Sequence, residues 1–135
     1  MTAGSPPTGT ATASYAYGVT RGLDPTALGT VRGIGGARVR VVAAATDDGV
    51  VLQVLVGDVD PGEFSEHAVA EHREDLAWLG AIARAHHEVV ATAGALGPMV
   101  PLALATVYLD DDRAAAAVAE RAVTFAGALD RITGR

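Results

Sequence analysis

The chain has no cysteine and no lysine, only 4% aromatic residues and too little positive charge to balance its acids. Each shortage closes off a class of function. Without cysteine there is no disulfide scaffold, thiolate nucleophile, iron–sulfur cluster or cysteine-ligated zinc, so any metal chemistry must draw on four His and sixteen acids. The ten basic residues, all Arg, leave a net charge of -6 and a pI near 5.0. Nucleic-acid readers rely on a basic face, which this balance does not offer, so no nucleic-acid partner is expected. Long apolar runs are also missing. Val39 to Ala45 and Val50 to Val56 are separated by Thr46, Asp47, Asp48 and Gly49 and fall far short of the ~20 residues of a membrane helix, so no membrane span is expected. The first fourteen residues contain neither a basic residue nor an apolar run of signal-peptide length, which points to the cytoplasm. Their Thr, Gly, Ala, Ser and Pro content reads as a disordered tail over residues 1–14.

What is present suits one domain. With 135 residues, 50% hydrophobic content and a mean hydropathy of +0.28, the chain is long and apolar enough to bury a core, roughly 68% of its unfolded surface. Tyr15 to Val19 is a β-favouring run that predicts a first strand. Asp24-Pro25 offers a cap and a first-turn proline, but Gly29 arrives so soon that the helix must be stunted. Arg38 to Ala45 begins with alternation, and Val50 to Val56 is almost wholly apolar, the pattern of a strand covered on both faces. Asp47-Asp48-Gly49 predicts a hairpin between them.

From Asp60 the period changes to helical, with Pro61 and Glu63 completing a capping signature. Leu76, Leu79, Ala83, Val90 and Ala93 recur at helical spacing, widened by Trp78, Ile82 and Val89, and Arg84 and Glu88 fall opposite. Gly94, Gly97 and Pro98 end that helix, and Val100 to Tyr108 predicts a fourth strand. A last helix starts at Asp110, Asp111 and Asp112, where acids oppose the macrodipole, and runs Val118, Ala122, Phe125, Leu129 and Ile132 down one side. The order implies an α+β fold: a four-stranded sheet, hairpin plus flanking strands, with helices packed on one face in ferredoxin-like order.

Four motifs carry possible chemistry. Gly33-Ile34-Gly35-Gly36 would cradle phosphate only at a helix start, and strand follows it, so a tight turn is the better reading. Glu63, His67 and Glu71 at four-residue spacing, with Glu66 and His72 nearby, would put three potential ligands on one helix face; a solvated face uses the same residues. His86 and His87 point about 100° apart on a helix and must differ in role. His86 falls on the apolar seam with Leu79, Ala83 and Val90, one ring nitrogen satisfied, and His87 turns to solvent with Glu88. Asp110 to Asp112 look like a magnesium cluster only until capping explains them. No Ser-His-Asp or paired-carboxylate grouping follows from spacing, so no catalytic residue, cofactor site or metal site is assigned.

Three ordered blocks, YAYGV at Tyr15 to Val19, DLAWLGAIARAHHEVV at Asp75 to Val90 and PLALATVYLDDDR at Pro101 to Arg113, resemble the gas vesicle protein F/L family. So do VRGIGGARVRVV and the entry to the helices at Asp60, Pro61, Glu63 and Phe64. The resemblance covers Tyr15 to Arg135 and implies the family's amino-terminal α+β domain, with the second domain absent after Gly134-Arg135. It implies a non-enzymatic accessory protein of gas vesicle assembly that binds the small hydrophobic shell protein, prevents its aggregation and works beside other accessory proteins. Ala103 departs from the pattern, since many relatives carry arginine there. The rival readings are a small-molecule-binding α+β module and a weak metal-dependent hydrolase. An apolar patch or sheet edge suits the assembly role.

Overall fold

The computed structural model describes residues 12–45, 51–72 and 74–133. Every residue of β1 (Ala13–Thr20) is buried, which its mix of Tyr, Val and small residues allows on both faces. The strand starts two residues ahead of Tyr15, where the sequence predicted it. Two short 3-10 turns follow, Pro25–Leu28 and Ile34–Gly36, the first capped by Asp24, whose carboxylate accepts from the Thr26 N–H at 3.0 Å. The first stands where the stunted helix was expected, the second at the Gly33 to Gly36 turn. β2 (Val39–Ala45) and β3 (Val51–Val59) pair antiparallel from Val39 opposite Gly57 to Ala45 opposite Val51. The predicted Asp47-Asp48-Gly49 turn lies outside the described residues.

The single long helix expected from Asp60 is two helices. Asp60 closes a turn, accepting from the Gly62 N–H at 2.8 Å, and α1 (Glu66–His72) begins only after Ser65 accepts from the Ala68 N–H. Asp75 then caps α2 (Leu76–Leu96), accepting from the Trp78 N–H at 3.0 Å. A side chain that satisfies an orphan N–H stabilises a fresh helix start as well as a continuing turn does, so local capping overrode the long period.

Next come β4 (Met99–Pro101) and β5 (Val107–Tyr108), then α3 (Asp111–Glu120) and α4 (Ala122–Thr133). Asp110 caps α3, accepting from the Arg113 N–H at 2.8 Å, as its position predicted. The last helix breaks at Arg121, whose backbone leaves helical geometry at φ -114.

The sheet runs β2-β3-β1-β4, with β5 also on β1, and every pairing is antiparallel. This is the strand order of a split βαβ sandwich. The two 3-10 turns and α2 cover one face, where Leu28, Ile34, Ile82, Val89 and Ala93 meet Tyr15, Tyr17 and Leu55. α3 and α4 cover the other, where Ala114, Val118, Phe125 and Leu129 meet Ala16, Val19, Val54 and Val56. The expectation that all helices share one face therefore holds for the split βαβ part and not for the carboxy-terminal pair. β3 shows why. Its Leu52, Val54 and Val56 belong to one face and its Leu55 and Val59 to the other, and all are buried, so each face needs its own cover.

An ion pair fixes the second layer to the sheet. Arg40 on β2 donates two hydrogen bonds to Asp111 at the start of α3, at 2.9 and 2.7 Å, and reaches Asp58 at 2.9 Å. Ser14 donates to the same Asp111 carboxylate at 2.6 Å. At the far end Arg21 pairs with Asp130 at 2.9 Å.

β4 lies so close to β1 that a Cβ on Gly18 would collide with Met99 Cε and stand 2.9 Å from the Val100 carbonyl oxygen. Gly18→Ala must push β4 outward and is expected to cost about 1–3 kcal/mol in urea unfolding. Leu129→Ala, which opens a void in the second layer, is expected to cost about 2–5 kcal/mol.

Candidate functional site

The proposed ligand face on the first helix does not assemble. His67 and Glu71 meet at 3.1 Å on the exposed surface of α1, but Glu63 precedes the helix and accepts from the Trp78 indole N–H at 2.9 Å. His72 stacks flat on Trp78, centroids 4.7 Å apart and planes 14° from parallel, with Asp75 3.8 Å away. Because α1 starts at Glu66, Glu63 is not at a helical offset from His67. Among the described residues no group of three or more His, Asp or Glu converges to hold a metal ion.

His86 and His87 do differ, His87 being exposed and His86 half-buried. The seam is rotated from the one expected. Ile82, Val89 and Ala93 are buried with His86 between them, whereas Ala83 is exposed and Leu76 is 81% exposed. His86 meets β1 at its aromatic pair: Nδ1 lies 2.9 Å from the Tyr15 hydroxyl, and both tyrosine rings stand 5.7 Å from the imidazole. Phe64 closes on the edge of Tyr15 at 5.6 Å, and Trp78 on Phe64 at 5.5 Å.

The tyrosine hydroxyls do more than fill space. The Tyr17 oxygen accepts from the Ile34 N–H at 2.9 Å, holding the Gly33 to Gly36 turn against β1. That turn continues into strand and is closed by its own bonds, Gly33 N–H to the Ala37 carbonyl at 2.8 Å among them, as the tight-turn reading expected. Gly35 and Gly36 take φ of +66 and +77, which only glycine adopts cheaply. The Tyr15 oxygen accepts from the Ala105 N–H at 2.9 Å. Ala105 belongs to a segment that the sequence reads as unbroken strand. Opposite Ala16 and Tyr17 stand five residues, Leu102 to Thr106, because Gly18 pairs Pro101 while Tyr15 pairs Val107. The surplus loops out between β4 and β5, with Ala105 at φ +67. Ala103 is exposed in this loop, its carbonyl accepting from the Thr106 hydroxyl at 2.6 Å, and is not a strand position.

Burial shifts these groups. It pushes the Tyr15 phenol up to about 12 and the Tyr17 phenol upward as well, so both stay protonated donors. It also holds His86 below the usual imidazole range, the Leu102 backbone opposing the shift and His87 adding to it. The hydrogens follow by exclusion. The Tyr15 O–H donates to Nδ1 of neutral His86, and its oxygen accepts from Ala105. Asp111 was legible as a capping acid, but its pairing with Arg40, 71 residues away, was not. Hydrogen bonding to Arg40 holds its carboxyl below the ordinary carboxylate range.

Tyr15→Phe keeps the ring and leaves the Ala105 N–H and His86 Nδ1 without partners; about 1–3 kcal/mol of stability is expected to be lost by chemical denaturation. For Asp111 the folded pKa lies below the unfolded one, so its contribution is complete above about 3.8 and fades as pH falls through the lower folded value. Thermal melts between pH 5 and 2 should therefore show a shallower fall for Asp111→Asn than for the parent chain.

The sequence profile described as "Gas vesicle synthesis protein GvpL/GvpF" matches residues 13–135. The chain is 34% identical over 121 residues to the "Gas vesicle protein L" of Streptomyces sp. (strain CB03234), an alignment covering 90% of this chain and 44% of that relative. No solved structure matches it. A match that runs from the first residue of β1 through the last helix takes in the whole described sheet and both helical layers, and the chain belongs to the gas vesicle synthesis protein GvpL/GvpF family.

Proposed function

We propose that this chain takes part in gas vesicle assembly as a non-catalytic accessory protein, binding the small hydrophobic shell protein and keeping it from aggregating before it enters the growing wall. The observation that carries this reading is the family match over residues 13–135. Because the chain spans 44% of the length of the relative it matches, the activity of the longer protein is extended here only as far as these elements could support it. Two features of the surface suit such a role. β2 is an outer strand, paired with β3 alone among the described strands, and its Val39-Arg40-Val41-Val42-Ala43 run presents an edge that no other described strand occupies and that an extended apolar segment can join. Large apolar side chains also stand in solvent, Val123 at 84% and Leu76 at 81% exposure. In this reading the chain acts in the cytoplasm and at the gas vesicle, alongside other accessory proteins.

Purified shell protein diluted from denaturant should scatter light as it aggregates, and an equimolar amount of this chain should suppress most of that signal and co-elute with the shell protein on gel filtration. Unchanged scattering at a twofold excess, with no co-elution, would show that the chain does not act on the shell protein.

A further inference from the structure

We propose that Tyr15 and His86 form a proton-sensitive latch on the Leu102 to Thr106 loop, closed while His86 is neutral and released when it takes up a proton. Three observations carry this. The loop is an element with an alternative: its sequence, between β4 and β5, has the composition of continuous strand, yet five residues stand opposite two of β1. The closed form also holds Ala105 at φ +67, a conformation an alanine leaves readily once its restraints go. Finally, the restraint on Ala105 leads to one titratable ring: the Tyr15 oxygen accepts the Ala105 N–H at 2.9 Å and the Tyr15 O–H donates to His86 Nδ1 at 2.9 Å, so the loop is tied to His86 through Tyr15.

A proton on Nδ1 turns that nitrogen from acceptor to donor. The Tyr15 hydroxyl then faces a second donor, loses the acceptor for its own hydrogen and can satisfy His86 only by giving up its present geometry. Beside the ring stand Tyr15 and Tyr17 from β1 and the Leu102 backbone from the loop, and His87, next along α2, is exposed. None of these is a carboxylate that would welcome the new charge. Among the described residues the ion pairs involve other side chains. The sign follows: the closed form binds the proton less well than a solvated imidazole, so acid favours release. Opening interrupts the bonds that span the middle of this edge, Ala16 N–H to the Thr106 carbonyl at 2.8 Å and Leu102 N–H to the Tyr17 carbonyl at 3.0 Å. It thereby bares backbone on β1, the strand to which all but one of the others pair.

Amide hydrogen exchange on the full chain, corrected for intrinsic rates, tests the latch. Between pH 7.5 and 5.5 the protection factor of the Ala105 amide should fall, by up to tenfold per pH unit below about 6.5, while that of Val54 in the sheet centre holds steady. His86→Gln, whose carboxamide supplies an acceptor and a donor without titrating, should remove the pH dependence; His87→Gln should leave it in place. Ala105→Gly, which relieves the positive φ, should raise protection at every pH in the range. The latch is refuted if Ala105 protection in the parent chain does not change with pH, if it falls only in parallel with Val54, or if it falls equally in His86→Gln. It is refuted likewise if His87→Gln abolishes the change. Unaltered or lower protection in Ala105→Gly would overturn the strained closed form on which release depends.

Discussion

All eight residues of β1 are buried, and a strand so placed has to find partners for its polar atoms on both edges while both of its faces are covered. β3 takes one edge from Ala13 to Thr20, interrupted by a bulge between Ala16 and Gly18. β4 and β5 share the other, and the Leu102 N–H and Thr106 carbonyl bridge the gap between them. The remaining architecture answers this demand. α2 and the two 3-10 turns close one face over Tyr15 and Tyr17, and α3 and α4 close the other over Ala16 and Val19. Polar residues on the strand are no exception: Ser14 donates to Asp111, and Thr20 donates to Gln53 at 2.9 Å.

The two tyrosines show how one strand organises distant segments. Their rings sit 4.7 Å apart on the same face and supply apolar area, but each hydroxyl reaches a different loop, Tyr17 the turn at Ile34 and Tyr15 the loop at Ala105. A buried phenol without a partner is costly, so these contacts set where the loops can lie as much as the loops set the tyrosines. His86 enters this arrangement from α2, which joins the helix to the loop across β1. The consequence is that a half-buried titratable ring sits beside the looped segment that holds Ala105 at positive φ.

The opposite layer is held differently. Arg40 binds Asp111 with a two-pronged contact and shares Asp58, so a single guanidinium links β2, β3 and the start of α3. Asp111 is also a first-turn acid of α3, where the helix dipole favours it. One carboxylate thus serves helix initiation and layer attachment. For a family whose members are described by their place in gas vesicle synthesis, this division leaves β2 with an outer edge free of described strands and α4 with Val123 in solvent.

Local features were readable from the chain alone: the strand at Tyr15 to Val19, the stunted helix after Asp24, the Asp110 cap, the exposed His87 beside a half-buried His86, and the α+β order of elements. These depend on period, capping and turn chemistry within a few residues, and the three blocks resembling the F/L family added their joint identity. The two-sided covering of β3 was legible too, in its almost wholly apolar run, although a single helical layer was expected over the sheet. Other features awaited the assembled structure. Capping by Ser65 and Asp75 divides one helical period into two helices, and this also keeps Glu63 off the His67 face. The looped segment at Leu102 to Thr106, the Tyr15–His86 contact and the Arg40–Asp111 pair join residues about 70 to 90 positions apart. Periodicity reports which way a side chain faces along its own element, whereas pairing register and the reach of a hydroxyl or guanidinium depend on which elements become neighbours, and that is decided only when the layers close.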